Sequence, residues 1–170
     1  IKIKDGRLIG YNTDYIGFKK ALEEKYKSNP ENALILGSGG ASEAIKYVFK
    51  KIGCDFKIVS RFPSKDQLSY DQLSEKIIKK TDIIVNASPI GTYPNIMEAP
   101  NIPYRYLNSK HLLFDLIYNP KETQFLKRAR ENGNRIENGK LMFIYQANQS
   151  FSIWNNVIPK IDEEVLKILE

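Results

Sequence analysis

The sequence predicts an α/β fold: a doubly wound parallel sheet with flanking helices. Three observations lead to it. Short apolar runs alternate with helix-period segments between residues 33 and 137. The run Ala33-Leu34-Ile35-Leu36 is continuously apolar, as suits a strand covered on both faces. It ends in Gly37-Ser38-Gly39-Gly40, a turn leading straight into a helical pattern. Right-handed crossovers between parallel strands then place helices on both faces of the sheet.

The elements follow in order. Residues 1–12 read as an extended lead-in with a turn at Asp5-Gly6. Residues 13–27 read as a helix with Ile16, Ala21 and Leu22 at apolar positions and Asn12 or Thr13 capping its start. Ser28-Asn29-Pro30 breaks the chain before the first sheet strand. Residues 41–52 form a helix on the spacing of Ala41, Ala44, Ile45, Val48 and Ile52. Residues 55–60 are the second strand, 70–80 a helix and 83–86 the third strand. A Pro-rich loop runs from Pro89 to Pro103. Residues 111–116 give the fourth strand, 122–132 a helix, and Arg135-Ile136-Glu137 a short fifth strand. Helices over 140–156 and 161–169 are parted near Pro159. The expected division is 1–29 as lead-in and linking helix, 30–139 as the Rossmann-like domain, and 140–170 as C-terminal helices.

Composition narrows the classes. Hydrophobic residues at 42% and charged residues at 27% of 170 argue against disorder. No apolar run approaches the ~18 residues of a membrane span, and Ile1-Lys2-Ile3-Lys4 has no apolar signal core. One cysteine, Cys54, forms no internal disulfide, and with the single His111 it makes a poor zinc site. The expectation is a cytoplasmic protein without membrane, metal or nucleic-acid partners. The net charge of +6 suits nucleic acid or a phosphorylated small molecule. Its cations are interleaved with acids, as in Lys19-Lys20-Ala21-Leu22-Glu23-Glu24-Lys25, which reads as a solvated helix face. No zinc-finger spacing or aromatic RNA-binding motif accompanies them.

The chemistry begins at Gly37-Ser38-Gly39-Gly40-Ala41-Ser42. Glycine permits positive φ at the turn, a bare Gly39 lets a pyrophosphate approach the backbone, and the helix start offers free N–H groups and a positive dipole end. In this strand–turn–helix setting the segment reads as a dinucleotide cradle, although Ser42 stands where the fingerprint has Gly or Ala. The bland alternative is a tight turn. A ligand would lie beyond the carboxyl ends of the strands. At the end of the second strand an NAD site carries an acid for the ribose hydroxyl. Here stands Ser60-Arg61-Phe62-Pro63-Ser64-Lys65. Two cations and two hydroxyls suit a 2′-phosphate, so the expected cofactor is NADP; a basic surface turn is the alternative.

A fold of this kind does not name a reaction. Four further segments do so by resemblance. Gly10-Tyr11-Asn12-Thr13-Asp14-Tyr15-Ile16-Gly17-Phe18 resembles the G-x-N-T-D-x-x-G-F signature of shikimate dehydrogenases. Asn86-Ala87-Ser88-Pro89-Ile90-Gly91 resembles their N-A-T-P-x-G loop, with Ser for Thr. Asp115-Leu116-Ile117-Tyr118-Asn119-Pro120, with Thr123 and Phe125-Leu126, is similar to their D-x-x-Y-x-P-x-x-T-x-x-L stretch. Asn138-Gly139-Lys140-Leu141-Met142, then Gln146-Ala147, resembles their closing G-x-x-M-x-x-x-Q-A segment.

The resemblance implies reversible reduction of 3-dehydroshikimate to shikimate, with NADP, in aromatic amino-acid biosynthesis. Asp14 would pair with a lysine at the substrate and assist proton transfer at the hydroxyl being oxidised. Tyr118 and Gln146 would contact the substrate. Leu116, Gly139 and Met142 would lie near the nicotinamide, with Ser88 among the cofactor contacts. Residues 37–41 and 60–65 would hold the pyrophosphate and the 2′-phosphate. Without the resemblance these positions have plain readings: Asp14 a first-turn helix acid, Tyr118 a loop aromatic, Gln146 a solvated helix residue, Met142 core. The family carries a substrate domain ahead of the N-T-D segment, and this chain starts just before that segment. The resemblance therefore implies that a domain of about 100 residues is absent, that the chain alone is inactive, and that residues 13–27 and 141–169 expose apolar groups such as Ile16, Phe18, Phe151 and Trp154 to a partner or a second copy. A quinate/shikimate dehydrogenase and a non-catalytic nucleotide-binding module are the rival readings, with a basic nucleic-acid binder as a third.

Overall fold

Asp5 and Gly6 both take positive φ, 50° and 72°, and so turn a short antiparallel hairpin from β1 (Lys2–Lys4) into β2 (Arg7–Ile9). This is the first element of the computed structural model, which describes residues 1–26 and 28–167. Helix α1 (Asp14–Lys25) follows. Its start is organised by Asn12, whose Oδ1 accepts from the Asp14 amide at 2.9 Å, while Thr13 makes no side-chain cap. Residue 27 and residues 168–169, where the sequence predicts helix, lie outside the described residues.

The main sheet contains β3 (Asn32–Leu36), β4 (Asp55–Val59), β5 (Ile83–Asn86), β6 (Leu112–Asp115) and β7 (Arg135–Glu137). They are all parallel, in the order β4-β3-β5-β6-β7. Between β3 and β5 the winding reverses, so the chain leaves the carboxyl end of β3 on one side and that of β5 on the other. Alternation along the strands feeds two cores. Ala33, Ile35, Ile83, Val85, Leu112 and Phe114 meet α1, α2 (Gly40–Ile52) and α5 (Lys140–Asn155). Leu34, Leu36, Ile84 and Leu113 meet α3 (Glu75–Lys80) and α4 (Gln124–Glu131). Both faces are covered, which is why the strands carry unbroken apolar runs.

Two expectations change. Residues 70–80 are not one helix: a 3-10 turn (Tyr70–Gln72) is closed by a capping box between Ser69 and Gln72, and Ser74 caps α3 afresh by accepting from the Ile77 amide. Second, Phe18 is not exposed. It is fully buried, with its ring edge-on to Phe49 at 5.5 Å and to Phe114 at 5.1 Å. Helix α1 thus packs on the sheet as well as on α5, and burying such a ring contributes about 2–3 kcal/mol. Ile16 is half-buried, whereas Phe151 and Trp154 are 46% and 57% exposed. The Trp154 indole N–H donates to the Ile1 carbonyl at 3.1 Å, tying the end of α5 to the hairpin, where Ile1 and Ile3 are also exposed. After Pro159 a short α6 (Glu163–Lys167) closes the described chain.

His111 and Cys54 are structural. The His111 ring is buried, accepting from the Asn108 amide at Nδ1 and lying 3.0 Å from the Ile78 carbonyl at Nε2. Burial pushes the Cys54 thiol up to about 12.

Candidate functional site

The winding reversal brings two loops together above the sheet. Gly37 leaves β3 at φ +111°, and a Cβ on it would lie 2.9 Å from the Ala87 carbonyl oxygen in the loop after β5. Only glycine meets both demands. Beyond it, Gly39 caps α2 and Gly40 opens it, and a Cβ on either would meet nothing within 4 Å. The turn is therefore tight on the protein side and bare on the open side. The first amides of α2 have no intrahelical partners there. Ser42 is fully buried and donates to the Gly39 carbonyl at 2.6 Å, so its hydroxyl locks the turn from behind.

Gly37, Ser38 and Gly39 share a cleft of ≈ 230 Å³ with Ser60, Arg61 and Ser88. Phe62, Tyr70, Ala87, Pro89 and Ile90 complete much of its wall. The Ser38 and Ser60 hydroxyls are 3.4 Å apart, and Ser60 Oγ accepts from the Phe62 amide, which shapes the loop carrying Arg61. Burial pushes the Tyr70 hydroxyl up, against the opposing pull of the nearby Arg61 charge. Lys65 is exposed on the same loop but does not line the cleft, and Gly40 and Ala41 lie just outside it on α2. A larger hollow of ≈ 450 Å³ lies at the opposite, amino ends of β3 and β4, away from all of these groups.

The second half of the site forms where α5 leaves β7. Gly139 donates its amide to the Ile117 carbonyl at 3.0 Å and presses against the Leu116 carbonyl. Leu116, Gly139 and the buried Met142 are thereby gathered at the start of α5. Tyr118 is 42% exposed and stacks on Phe143 of α5, with ring centroids 4.6 Å apart. One turn on, Thr13 donates to Gln146 Oε1 at 3.3 Å and is 3.0 Å from Ser150 Oγ. Asp14 follows Thr13 at the head of α1 and is half-exposed, so it and Gln146 flank the same helix crossing.

Sequence reasoning missed what joins these halves. Asp115, buried at the end of β6, accepts from Thr123 Oγ1 at 2.6 Å and, on its other oxygen, from Asn86 Nδ2 and the Ile117 amide, each at 3.1 Å. Asn86 Oδ1 in turn accepts from the Ser88 hydroxyl and amide, at 2.7 Å and 3.1 Å. Tyr70 and Ile90 are likewise given no role by the sequence. The motif loops carried the signal for Asn86, Asp115 and Thr123. Tyr70 carried none, because only the return of the chain along the edge of β4, through the bridge of Leu68 to Val59, brings it to the cleft. Among the described residues no group of acids, histidines and cysteines is placed to hold a metal, and no helix is long and apolar enough to cross a membrane.

No protein-family model matches the chain. The shikimate dehydrogenase (NADP(+)) of Methanococcus maripaludis is 40% identical over 176 residues, covering 95% of this chain and 63% of that protein. That of Methanocaldococcus jannaschii is 39% identical over 184 residues, with 98% and 64% covered. Among solved structures, a chorismate mutase/shikimate 5-dehydrogenase fusion protein from Clostridium acetobutylicum matches with a TM-score of 0.84 at 37% identity, covering 99% of this chain and 63% of that one. A shikimate dehydrogenase in complex with NADP+ matches with a TM-score of 0.82, also at 37% identity, with 99% and 63% covered. The chain thus spans about 63% of the length of these relatives.

Proposed function

We propose that this chain, which is similar to shikimate dehydrogenases over nearly its whole length, is the NADP-binding C-terminal part of such an enzyme. One observation carries the reading. The Gly37–Gly39 turn, open where a pyrophosphate would lie, shares one cleft with Ser60 and Arg61 at the end of β4. Among the described residues no acid lines that cleft. The cleft takes the adenosine end and its 2′-phosphate, the first turn of α2 takes the pyrophosphate, and Leu116, Gly139 and Met142 border the nicotinamide.

The bound nucleotide supplies a hydride acceptor for the reaction. Oxidising a secondary alcohol also releases its hydroxyl proton, and Asp14 assists that transfer at the substrate oxygen. Tyr118 and Gln146 hold the polyhydroxylated substrate against the cofactor-bearing face. We assign residues 30–139 to the dinucleotide-binding unit. Residues 1–29 and 140–170 are the parts that meet the substrate domain. The apolar groups Ile1, Ile3, Phe151 and Trp154 receive that domain or a second copy. The reaction belongs to cytoplasmic aromatic amino-acid biosynthesis. Residues 1–170 by themselves carry only part of the substrate contacts and of the positioning they supply, and are expected to be inactive.

Calorimetric titration with NADP and with NAD, side by side, tests this. Tighter binding of NADP is expected. A folded chain that binds neither, or that prefers NAD, overturns the cofactor assignment, and robust shikimate oxidation by the chain overturns the inactivity.

A further inference from the structure

Asp115 occupies a position that the reaction chemistry does not require. It is fully buried between β5 and α4, and among the described residues no lysine or arginine pairs with it. Three groups donate to it: Thr123 Oγ1, Asn86 Nδ2 and the Ile117 amide. In its ionised form this side chain accepts from all three without offering a donor of its own. Each donor belongs to a different part of the site. Ile117 lies in the loop carrying Leu116 and Tyr118, and Thr123 caps α4. Asn86 is a relay with all its bonding capacity in use: Oδ1 accepts twice from Ser88, while Nδ2 donates to Asp115 and to the Ile90 carbonyl at 3.2 Å. Ser88 and Ile90 are in the wall of the nucleotide cleft.

We propose that Asp115 is a positioning residue: through Asn86 it sets the Ser88–Ile90 wall of the cleft, and directly it sets the Leu116–Tyr118 loop, so both ends of the cofactor site are placed by one side chain. Removing its acceptors leaves the buried Asn86 amide and Ile117 amide short of partners at once. An aspartate at 86 could not substitute for the relay, because it has no N–H to give. The part of this inference that concerns cofactor affinity rests on the NADP reading. The part that concerns the two loops does not.

The test measures amide hydrogen exchange at Ser88 and Ile117, together with NADP titration, in the 170-residue chain and three variants. Asp115→Ala is expected to speed exchange at both amides by about tenfold and to weaken NADP binding by a similar factor. Asn86→Ala is expected to speed exchange at Ser88 and leave Ile117 protected, with the same direction of change in affinity. Asp115→Asn keeps an oxygen facing Asn86 and Ile117 and is expected to keep both amides protected and the affinity near that of the parent chain. Should Asp115→Ala fail to fold, the other two variants carry the comparison. Exchange at Ser88 unchanged in Asp115→Ala, or Ile117 loosened along with Ser88 in Asn86→Ala, overturns the proposal. So does an Asp115→Asn chain as loose as the alanine variant. The expected exchange pattern in a chain that binds no NADP would overturn the cofactor reading and leave the positioning role standing.

Discussion

Gly139 lies against the carbonyl of Leu116 so closely that a Cβ on it would overlap that oxygen. Its backbone, at φ −72° and ψ 0°, is one that any residue adopts, so the requirement for glycine is purely one of space. The neighbour is backbone, held by the Gly139 amide bonded to Ile117, and it has little room to yield. Gly139→Ala is therefore expected to destabilise the chain by about 2–4 kcal/mol, read as a lower midpoint in urea unfolding. A variant as stable as the parent would show that the Leu116 loop shifts freely.

Gly39 presents the opposite case. A Cβ there meets no protein atom within 4 Å, so Gly39→Ala should cost the fold only about 1 kcal/mol through loss of a favourable N-cap. The methyl group would project onto the open side of the turn, where the pyrophosphate is proposed to bind. NADP affinity should fall by tenfold or more, about 1.4 kcal/mol, in calorimetric titration. Unchanged affinity in a stable variant would place the phosphates elsewhere.

Arg61 and Lys65 are separated by the structure although the sequence groups them. Arg61 lines the cleft and Lys65 does not. Arg61→Ala should weaken NADP about tenfold or more through lost charge-assisted bonds and leave NAD nearly unchanged. Lys65→Ala should move either ligand by less than about threefold. Equal losses for NADP and NAD in Arg61→Ala would count against a 2′-phosphate contact.

Stability should depend on pH through Asp115. Burial raises its carboxyl from the ordinary 3.8 to about 7, with the bonds from Thr123, Ile117 and Asn86 pulling the other way. Between those two values the folded chain holds a proton that the unfolded chain has released. This group's contribution therefore falls as pH rises from about 4 to about 7 and is level above that. Tyr104, itself raised by burial and partly by the Asp115 charge, does not titrate in that window. Urea unfolding at pH 5, 6, 7 and 8 should show the parent chain losing stability relative to Asp115→Asn across the series. A constant difference between the two would mean that Asp115 stays ionised throughout.

Much of the fold was legible because its signals are local. The unbroken run Ala33–Leu36 required cover on both faces and has it, Ile35 in one core and Leu34 in the other. The glycines after it marked the turn, and the order of strands and helices set the winding. The serines of 69–74 were less readable. A helical spacing spans them, yet two hydroxyl caps split the segment, because a side chain that bonds backbone amides competes with continuation of the helix. Phe18 failed for a different reason. Its exposure was inferred from a docking role assigned to the whole helix, whereas the ring lies between Phe49 and Phe114, more than thirty positions away in sequence at the nearer of the two.

The sequence by itself determined the layer architecture, the Gly-rich turn and the family likeness, since periodicity, turn chemistry and motif spacing are properties of neighbouring residues. Only the tertiary structure decided which of the basic residues reach the cleft, that Tyr70 joins it, and that Asp115 connects its two ends. Those relations arise where the carboxyl ends of parallel strands bring remote loops within hydrogen-bond distance, and a buried carboxylate there must gather its donors from whatever the fold sets around it.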